Sequence, residues 1–306
     1  MKLHDRFGRP IENLRIQITT RCNYSCVFCH HEGYYHCRKG YEELSLDAVH
    51  LIAKVAKEFE ITQVKITGGE PLLHKDVVEI IRVLAEMKFE DISLVTNGYF
   101  LPEYAQKLYD AGLNRINVSL PSLSPEKYSY VTQMPKKAFE KTLNGIKKAV
   151  AVGLNPVKVN VVILKDINND EWMNFIDFAQ KNNVVIQFIE YHSSDPNSLD
   201  FKKFYTPIDA IESYLKRNAR KVIIRNMHHR RRYILESGVE VEVVRPMFNS
   251  EFCANCRRIR ATPIGWKPCL LRDIVVDFTH ALRTHSLEEM ISTFLKAVEL
   301  REPFFK

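Results

Sequence analysis

Apolar residues fall along this chain in two alternating rhythms. Six short stretches, at 13–19, 62–67, 91–96, 115–120, 157–164 and 184–190, carry the β-branched enrichment or two-residue alternation of strands. Between them apolar positions recur at helical spacing. A helix predicted at 45–59 opens on Ser45 and sets Val49, Ile52, Ala53 and Ala56 on one face. Further helices are predicted at 76–88, 102–110, 136–152 and 169–181, and Gly112 and Gly153 follow the third and fourth helices as stop signals. Regular alternation of strand and helix reads as βα units around a parallel sheet. Six units fall short of the eight in a closed barrel, so the expected fold is α/β, a partial (β/α)6 TIM-like barrel over residues 1–215, with a flat doubly wound sheet as the alternative that the pattern leaves open.

After Tyr205 the rhythm changes. A short helix is expected from Thr206-Pro207 to about 216, then strands near 221–225 and 239–244, and a last amphipathic helix at 287–300. With no repeat and no linker, residues 216–306 are expected to form an α+β extension packed on the barrel. A composition of 45% hydrophobic and 26% charged residues over 306 positions excludes a disordered or coiled-coil chain. No apolar run approaches the about 18 residues of a membrane span, and the opening Met-Lys-Leu-His lacks the apolar core of a signal peptide. A cytoplasmic protein without membrane attachment is expected. The formal net charge of +7 suits an anionic partner.

The cysteines carry the chemistry. Six of the seven form two triplets, Cys22, Cys26 and Cys29 just after the first strand, and Cys253, Cys256 and Cys269 near the other end. An odd count in a cytosolic chain argues against a disulfide framework. Three thiolates are one short of a closed structural site, so each triplet could leave one iron of a [4Fe–4S] cluster open to an outside ligand. A zinc knuckle completed by His30 or His31 is the competing occupant of the first triplet, and a redox CxxC that of the second. Tyr24 and Phe28 are placed to shield the first group from water, and Cys37 stands outside both triplets.

Cys22-Asn-Tyr-Ser-Cys26-Val-Phe-Cys29 after a first strand, followed by Thr67-Gly68-Gly69-Glu70-Pro71 at the end of the second, resembles the radical S-adenosylmethionine superfamily. Thr96-Asn97-Gly98 and Ser119 match further family positions at the ends of the third and fourth strands. The resemblance implies that S-adenosylmethionine chelates the open iron through its amino and carboxylate groups and that one electron splits it to methionine and a 5′-deoxyadenosyl radical. It implies Phe28, Gly69 and Ser119 as its binding residues.

Both triplets together, with Asn13-Leu14-Arg15-Ile16, 118–128, Gln187-Phe-Ile-Glu-Tyr191 and Phe252-Cys253-Ala-Asn-Cys256-Arg-Arg258-Ile-Arg260, resemble the GTP 3′,8-cyclase family over about residues 5–302. This resemblance implies two [4Fe–4S] clusters, GTP as substrate, and conversion to its 3′,8-cyclic product as the first step of molybdenum cofactor synthesis. It implies Arg15, Lys65, Thr96, Lys158, Arg258 and Arg260 as the nucleotide-contacting residues. It further implies an electron donor of flavodoxin or ferredoxin type and a downstream pterin synthase, and it admits a homodimer. The chain departs from the family at Gln187 and Lys65, where many members carry Arg, and in a tail that ends Pro303-Phe-Phe-Lys306 rather than Gly-Gly.

Two other readings compete. One is a two-cluster enzyme of the same superfamily acting on a peptide or another small molecule. The other is a zinc-containing nucleic-acid-binding module, which would leave the βα units and the Gly-Gly-Glu-Pro turn without a purpose, so no nucleic-acid partner is expected. The basic run 228–233 is expected to be a solvated hairpin face that assists steering at most. Radical chemistry has to be kept from solvent, so both triplets should face one water-excluding chamber at the carboxyl ends of the strands.

Overall fold

The computed structural model describes residues 2–30 and 42–304. His31 and Cys37 lie outside the described residues. Six βα units build the first part as the hydrophobic pattern predicts. Their strands are β1 (Asn13–Gln17), β2 (Gln63–Thr67), β3 (Asp91–Thr96), β4 (Arg115–Ser119), β5 (Val157–Ile163) and β6 (Val185–Glu190). Helices Leu46–Glu58, Val77–Glu86, Leu101–Asp110, Lys137–Ala151 and Trp172–Asn182 serve as the crossovers. Ser45 caps the first of these by accepting from the Ala48 N–H. An extra helix, Pro125–Thr132, precedes the fourth crossover and is capped in the same way by Ser124.

The tail is more than a layer packed on this barrel, because it is woven into both edges of the sheet. Its strands are β7 (Ala219–Ile224), β8 (Arg231–Leu235), β9 (Glu240–Val244), β10 (Arg258–Thr262), β11 (Gly265–Lys267) and β12 (Val276–Asp277). The strand order is β12-β11-β10-β1-β2-β3-β4-β5-β6-β9-β8-β7. β10 adds to β1 in parallel and β9 adds to β6 in parallel, so the run from β10 to β9 contains eight parallel strands. β11 and β8 then pair antiparallel on its two flanks, and β9 and β10 are not neighbours, which leaves the barrel open.

Strand parity separates two environments. Leu14, Ile16, Val64, Ile66, Leu94, Val118, Val159 and Phe188 are fully buried in the main hydrophobic core. Each buried aliphatic side chain of this size contributes about 1.5–3 kcal/mol. Most of the intervening residues point the other way and are polar: Arg15, Lys65, Ser93, Asn117, Lys158, Asn160, Gln187 and Glu242, with Val95, Val162, Ile189 and Val244 as the apolar exceptions. Barrel interiors are ordinarily filled by branched apolar side chains. A polar lining costs desolvation energy unless it pairs internally or meets a ligand, so the interior of this barrel is built as a binding site. The last helix, Leu287–Glu299, closes the outside by stacking Phe294 on Phe59 and packing on Trp266. Among the described residues no helix is long and apolar enough to cross a membrane.

Candidate active site

The first cysteine loop leaves β1 and is pinned to helix Pro125–Thr132. Ser25 and Val27 donate their N–H groups to the carbonyls of Thr132 and Val131 at 3.3 and 2.9 Å. The Tyr24 hydroxyl joins the buried Tyr128 hydroxyl at 3.0 Å, which in turn meets the Thr142 hydroxyl at 2.8 Å. Cys22 accepts from the Tyr24 N–H at 3.4 Å. Burial pushes the Cys22 thiol up to about 11 against that hydrogen bond, with Glu70 and Cys29 adding to the rise. Cys26 is raised by burial and then by Cys29 and Cys22. Cys22 and Cys26 so placed resist ionising together. An iron cluster relieves that cost by taking the thiolate charge, so the donor set fits such a group.

The Gly-Gly-Glu-Pro turn runs along the backbone of this loop. Gly69 donates to the Thr19 carbonyl at 2.8 Å and Glu70 to the Arg21 carbonyl at 2.6 Å. A Cβ on Gly69 would stand 2.2 Å from the Arg21 carbonyl oxygen, so only glycine permits this approach. Glu70 is fully buried and accepts from the Thr96 hydroxyl at 2.7 Å, the Asn97 N–H at 2.7 Å and the Leu72 N–H at 3.0 Å. Burial lifts its carboxyl to about 7 in spite of these three donors. Asn97 closes the circuit by donating to Asn23 in the cysteine loop at 2.8 Å.

One cavity of about 310 Å³ occupies the barrel mouth. Cys253, Cys256 and Cys269 line it, and so do Phe28, His30 and Ser119. Of the first cysteine loop, Phe28 and His30 line the cavity, whereas Cys22, Cys26 and Cys29 do not. Arg15, Lys65, Lys158, Arg258 and Arg260 all reach this cavity, so five of the six expected nucleotide-contacting residues come together. Thr96 does not. It shares the core-facing parity of Leu94, its hydroxyl is spent on Glu70, and its neighbour Val95 faces the cavity instead. Gly69 is likewise absent from the lining, being occupied with the cysteine loop.

Among the described residues, eleven Arg and Lys side chains line the cavity against a single carboxylate, Glu302. Six of the eleven share three buried or half-buried carboxylates behind the wall. Asp5 takes Arg9 and Arg301, Asp91 takes Arg115, and Glu242 takes Lys158, Arg225 and Arg230. Lys65 and Arg258 are held by neutral amides instead, Asn117 at 3.0 Å and Asn13 at 2.7 Å. Burial and then Arg115, Arg15, Arg258 and Lys158 drive the Lys65 ammonium well below its ordinary range. Burial and then Arg15 and Arg260 do the same to Arg258. So many cationic side chains gathered around one cavity make it a site for a polyanion.

The second triplet is embedded in the same field. Arg9 donates to the Cys253 carbonyl at 2.9 Å and Arg301 to the Cys256 carbonyl at 2.5 Å, while Asp5 bridges the two guanidinium groups at 2.7 and 2.8 Å. Burial would raise the Cys256 thiol, but Arg301, the Arg258 N–H, Arg258 and Arg9 outweigh it and bring the thiol down. A thiol poised toward thiolate is the donor an iron cluster needs, and this set also fits.

The basic run 228–233 is not the solvated face expected of it. His228 and His229 take left-handed φ values of 64° and 47°, which swings the chain so that His228 and Arg230 face the cavity. His228 stacks on Phe252 at a centroid distance of 3.8 Å. Arg231 and Arg232 turn outward to Glu212 and Glu240. Sequence reasoning also missed Arg9, Arg115, Arg225, Arg230, Arg272 and Arg301 as cavity residues. Only Arg115 had a usable signal, sharing the inward parity of Asn117 and Ser119 on β4.

The Radical SAM superfamily profile matches residues 16–179, and the Molybdenum Cofactor Synthesis C profile matches residues 184–306. A protein of Methanocaldococcus jannaschii named "Probable GTP 3',8-cyclase" is 44% identical over 307 residues, covering 99% of both chains. A protein of Saccharolobus solfataricus with the same name is 43% identical over 315 residues, covering 99% of this chain and 98% of that one. Among solved structures, Streptococcus suis SuiB bound to precursor peptide SuiA superposes with a TM-score of 0.69 at 14% identity. That superposition covers 94% of this chain and 66% of SuiB, just under two thirds of its length, and it shows a shared fold. Open barrel, cysteine loop and Gly-Gly-Glu-Pro turn together define a radical S-adenosylmethionine protein. Within that superfamily the full-length relatives are specific: the chain belongs to the GTP 3′,8-cyclase family.

Proposed function

We infer that this chain is a radical S-adenosylmethionine enzyme converting GTP to (8S)-3′,8-cyclo-7,8-dihydroguanosine 5′-triphosphate, the first step of molybdenum cofactor biosynthesis. The observation that carries the reading is the cavity wall, where among the described residues eleven cationic side chains face one carboxylate beside the second cysteine triplet. A nucleoside triphosphate supplies the negative charge that wall lacks.

In this reading Cys22, Cys26 and Cys29 hold one [4Fe–4S] cluster, and Cys253, Cys256 and Cys269 hold the other. When bound, the first cluster and S-adenosylmethionine supply the one-electron chemistry that opens the reaction. Phe28 and Ser119 border the S-adenosylmethionine end of the cavity, and Gly69 acts beneath it by keeping the cysteine loop in place. Lys65 and Arg258 clamp the triphosphate with Arg15 and Arg260, which fixes the ribose and base relative to the two cysteine groups. Phe28, Val162, Ile189, Phe252 and Leu270 are among the apolar residues of the wall and exclude water.

Residues 1–215 act as the barrel domain and 216–306 as the region that brings the second cluster and much of the substrate site. The enzyme works in the cytoplasm with an electron donor of flavodoxin or ferredoxin type, and passes its product to a pterin synthase. A peptide substrate is served less well, since a 310 Å³ cavity walled by cations favours a compact polyanion. The test is anaerobic incubation of the reconstituted protein with S-adenosylmethionine, reductant and GTP, followed by chromatography and mass analysis. Cyclisation with reduction leaves the formula unchanged, so a new species of GTP mass should appear with 5′-deoxyadenosine and methionine. Consumption of S-adenosylmethionine without that species would sink the reading.

A further inference from the structure

The hairpin of β7 and β8 brings to the cavity a cation whose hydrogen-bonding capacity is not used up. Arg230 follows directly on the left-handed pair His228 and His229, and its carbonyl accepts from the Arg225 N–H at 2.9 Å, closing the hairpin tip. The tip is fastened to the second cysteine loop, because the His228 N–H donates to the Asn255 carbonyl at 2.8 Å. Arg230 therefore cannot drift away from the cavity without disturbing that loop.

Its side chain is only 12% exposed. One nitrogen donates to the neutral Gln187 amide oxygen at 3.1 Å and stands 3.7 Å from Glu242 Oε2, beyond hydrogen-bond range. Arg230 Nε is buried with no hydrogen-bond partner, and Glu242 Oε2 is in the same condition. Glu242 has already spent Oε1 on Lys158 and Arg225, so one carboxylate serves three cations. A buried guanidinium with an unanswered donor, in a cluster with surplus positive charge, is set to receive an anion from the cavity.

We propose that Arg230 binds the polyphosphate end of the nucleotide, with Glu242 as the positioning residue that holds Lys158, Arg225 and Arg230 on one side of it. The proposal rests on the nucleotide reading above and adds to it a phosphate contact from the hairpin. It makes the number of phosphates, rather than the base, what this residue senses.

The experiment measures equilibrium binding of GTP, GMP and inorganic triphosphate to the full-length protein and three variants. Arg230→Met keeps the aliphatic stem in its buried setting and should weaken GTP and inorganic triphosphate by roughly ten- to a hundredfold, but GMP by less than about threefold. Arg230→Lys restores a point charge and should recover at least part of the loss. Arg231→Ala removes the exposed neighbour that faces Glu212 and should change every affinity by less than about twofold. Equal losses in the Met and Arg231 variants would reduce the run to general steering and overturn the proposal, as would equal losses for GTP and GMP. A parent protein that binds inorganic triphosphate but not GTP, with the Met variant impaired, would keep this anion site and remove the nucleotide reading. A parent that binds neither would remove both.

Discussion

Arg258 donates from Nε to the Asn13 side-chain oxygen at 2.7 Å, across two positions 245 residues apart that are paired in parallel on β10 and β1. The bond fastens the tail to the first strand and fixes the direction of a guanidinium at the cavity. Because the partner is a neutral amide, the Arg258 charge remains available.

Arg258→Ala should therefore damage substrate use more than the fold. A charge-assisted hydrogen bond is worth about 1.5–3 kcal/mol, which predicts a roughly ten- to hundredfold fall in GTP affinity or conversion. Cleavage of S-adenosylmethionine without GTP should persist, since the first cysteine loop and its glycine turn are untouched. Parallel assays of 5′-deoxyadenosine and cyclised product separate the two effects, and an unchanged rate of GTP conversion would remove Arg258 from the clamp.

Local signals and long-range pairing explain what could be read from the chain alone. The six barrel strands, their helices and the stops at Gly112 and Gly153 rest on periodicity and punctuation within about fifteen residues, and they stand where expected. The pairing of β10 with β1 has no local signature, because a strand does not encode which edge it will join. β8 was hidden for another reason. Arg231 and Arg232 look like a solvated run, and only the left-handed turn at His228 and His229 sorts Arg230 from its neighbours. Both cysteine triplets were plain from spacing. The direction of Thr96 was readable in principle, since counting by twos from Ser93 puts Val95 in the cavity and Thr96 in the core.

Gly69→Ala should test how closely the glycine turn and the cysteine loop must approach. The new Cβ would meet the Arg21 carbonyl oxygen at 2.2 Å, and that backbone is also held by the Glu70 N–H. Relief requires moving the loop that carries Cys22 and Cys26. Expected losses are roughly 1–3 kcal/mol of stability and the iron of the first triplet, read by thermal unfolding and iron analysis. Gly68→Ala, whose Cβ would stand 3.0 Å from the Thr19 carbonyl oxygen, should be milder. Equal behaviour of the two variants would show that the loop can give way freely.

Arg301→Ala should act on the second triplet. Arg301 is 2% exposed, pairs with a fully buried Asp5 and donates to the Cys256 carbonyl. Removing one member of a buried pair costs about 3–5 kcal/mol, with the low end expected because Arg9 still faces Asp5. The melting temperature should fall, and iron should drop from about eight toward about four per chain as the second site empties first. Mössbauer or EPR spectra assign the surviving cluster. Full iron retention would mean that Arg301 supports the fold without holding this loop.

Lys158 should give nucleotide binding a pH dependence with a definite sign. Burial pushes its ammonium down from 10.5 to about 8, with Glu242 opposing the shift and Arg225 and Arg230 reinforcing it. Between pH 8 and 10.5 the unfolded chain therefore keeps a proton that the folded chain has released, so this residue's contribution makes stability rise with pH across that window. Anion binding runs the other way. A phosphate beside the ammonium favours the protonated form, so above pH 8 binding must take up a proton and should weaken by as much as about tenfold per unit. Arginine stays protonated, so Lys158→Arg should flatten the profile. Calorimetric titration of GTP from pH 7 to 9.5, in buffers of different ionisation heat, measures affinity and proton uptake together. Subtracting the variant profile from the parent profile removes the titration of the ligand itself. A parent and variant with the same slope would mean that Glu242 keeps Lys158 charged throughout, and that the phosphate is read by the arginines alone.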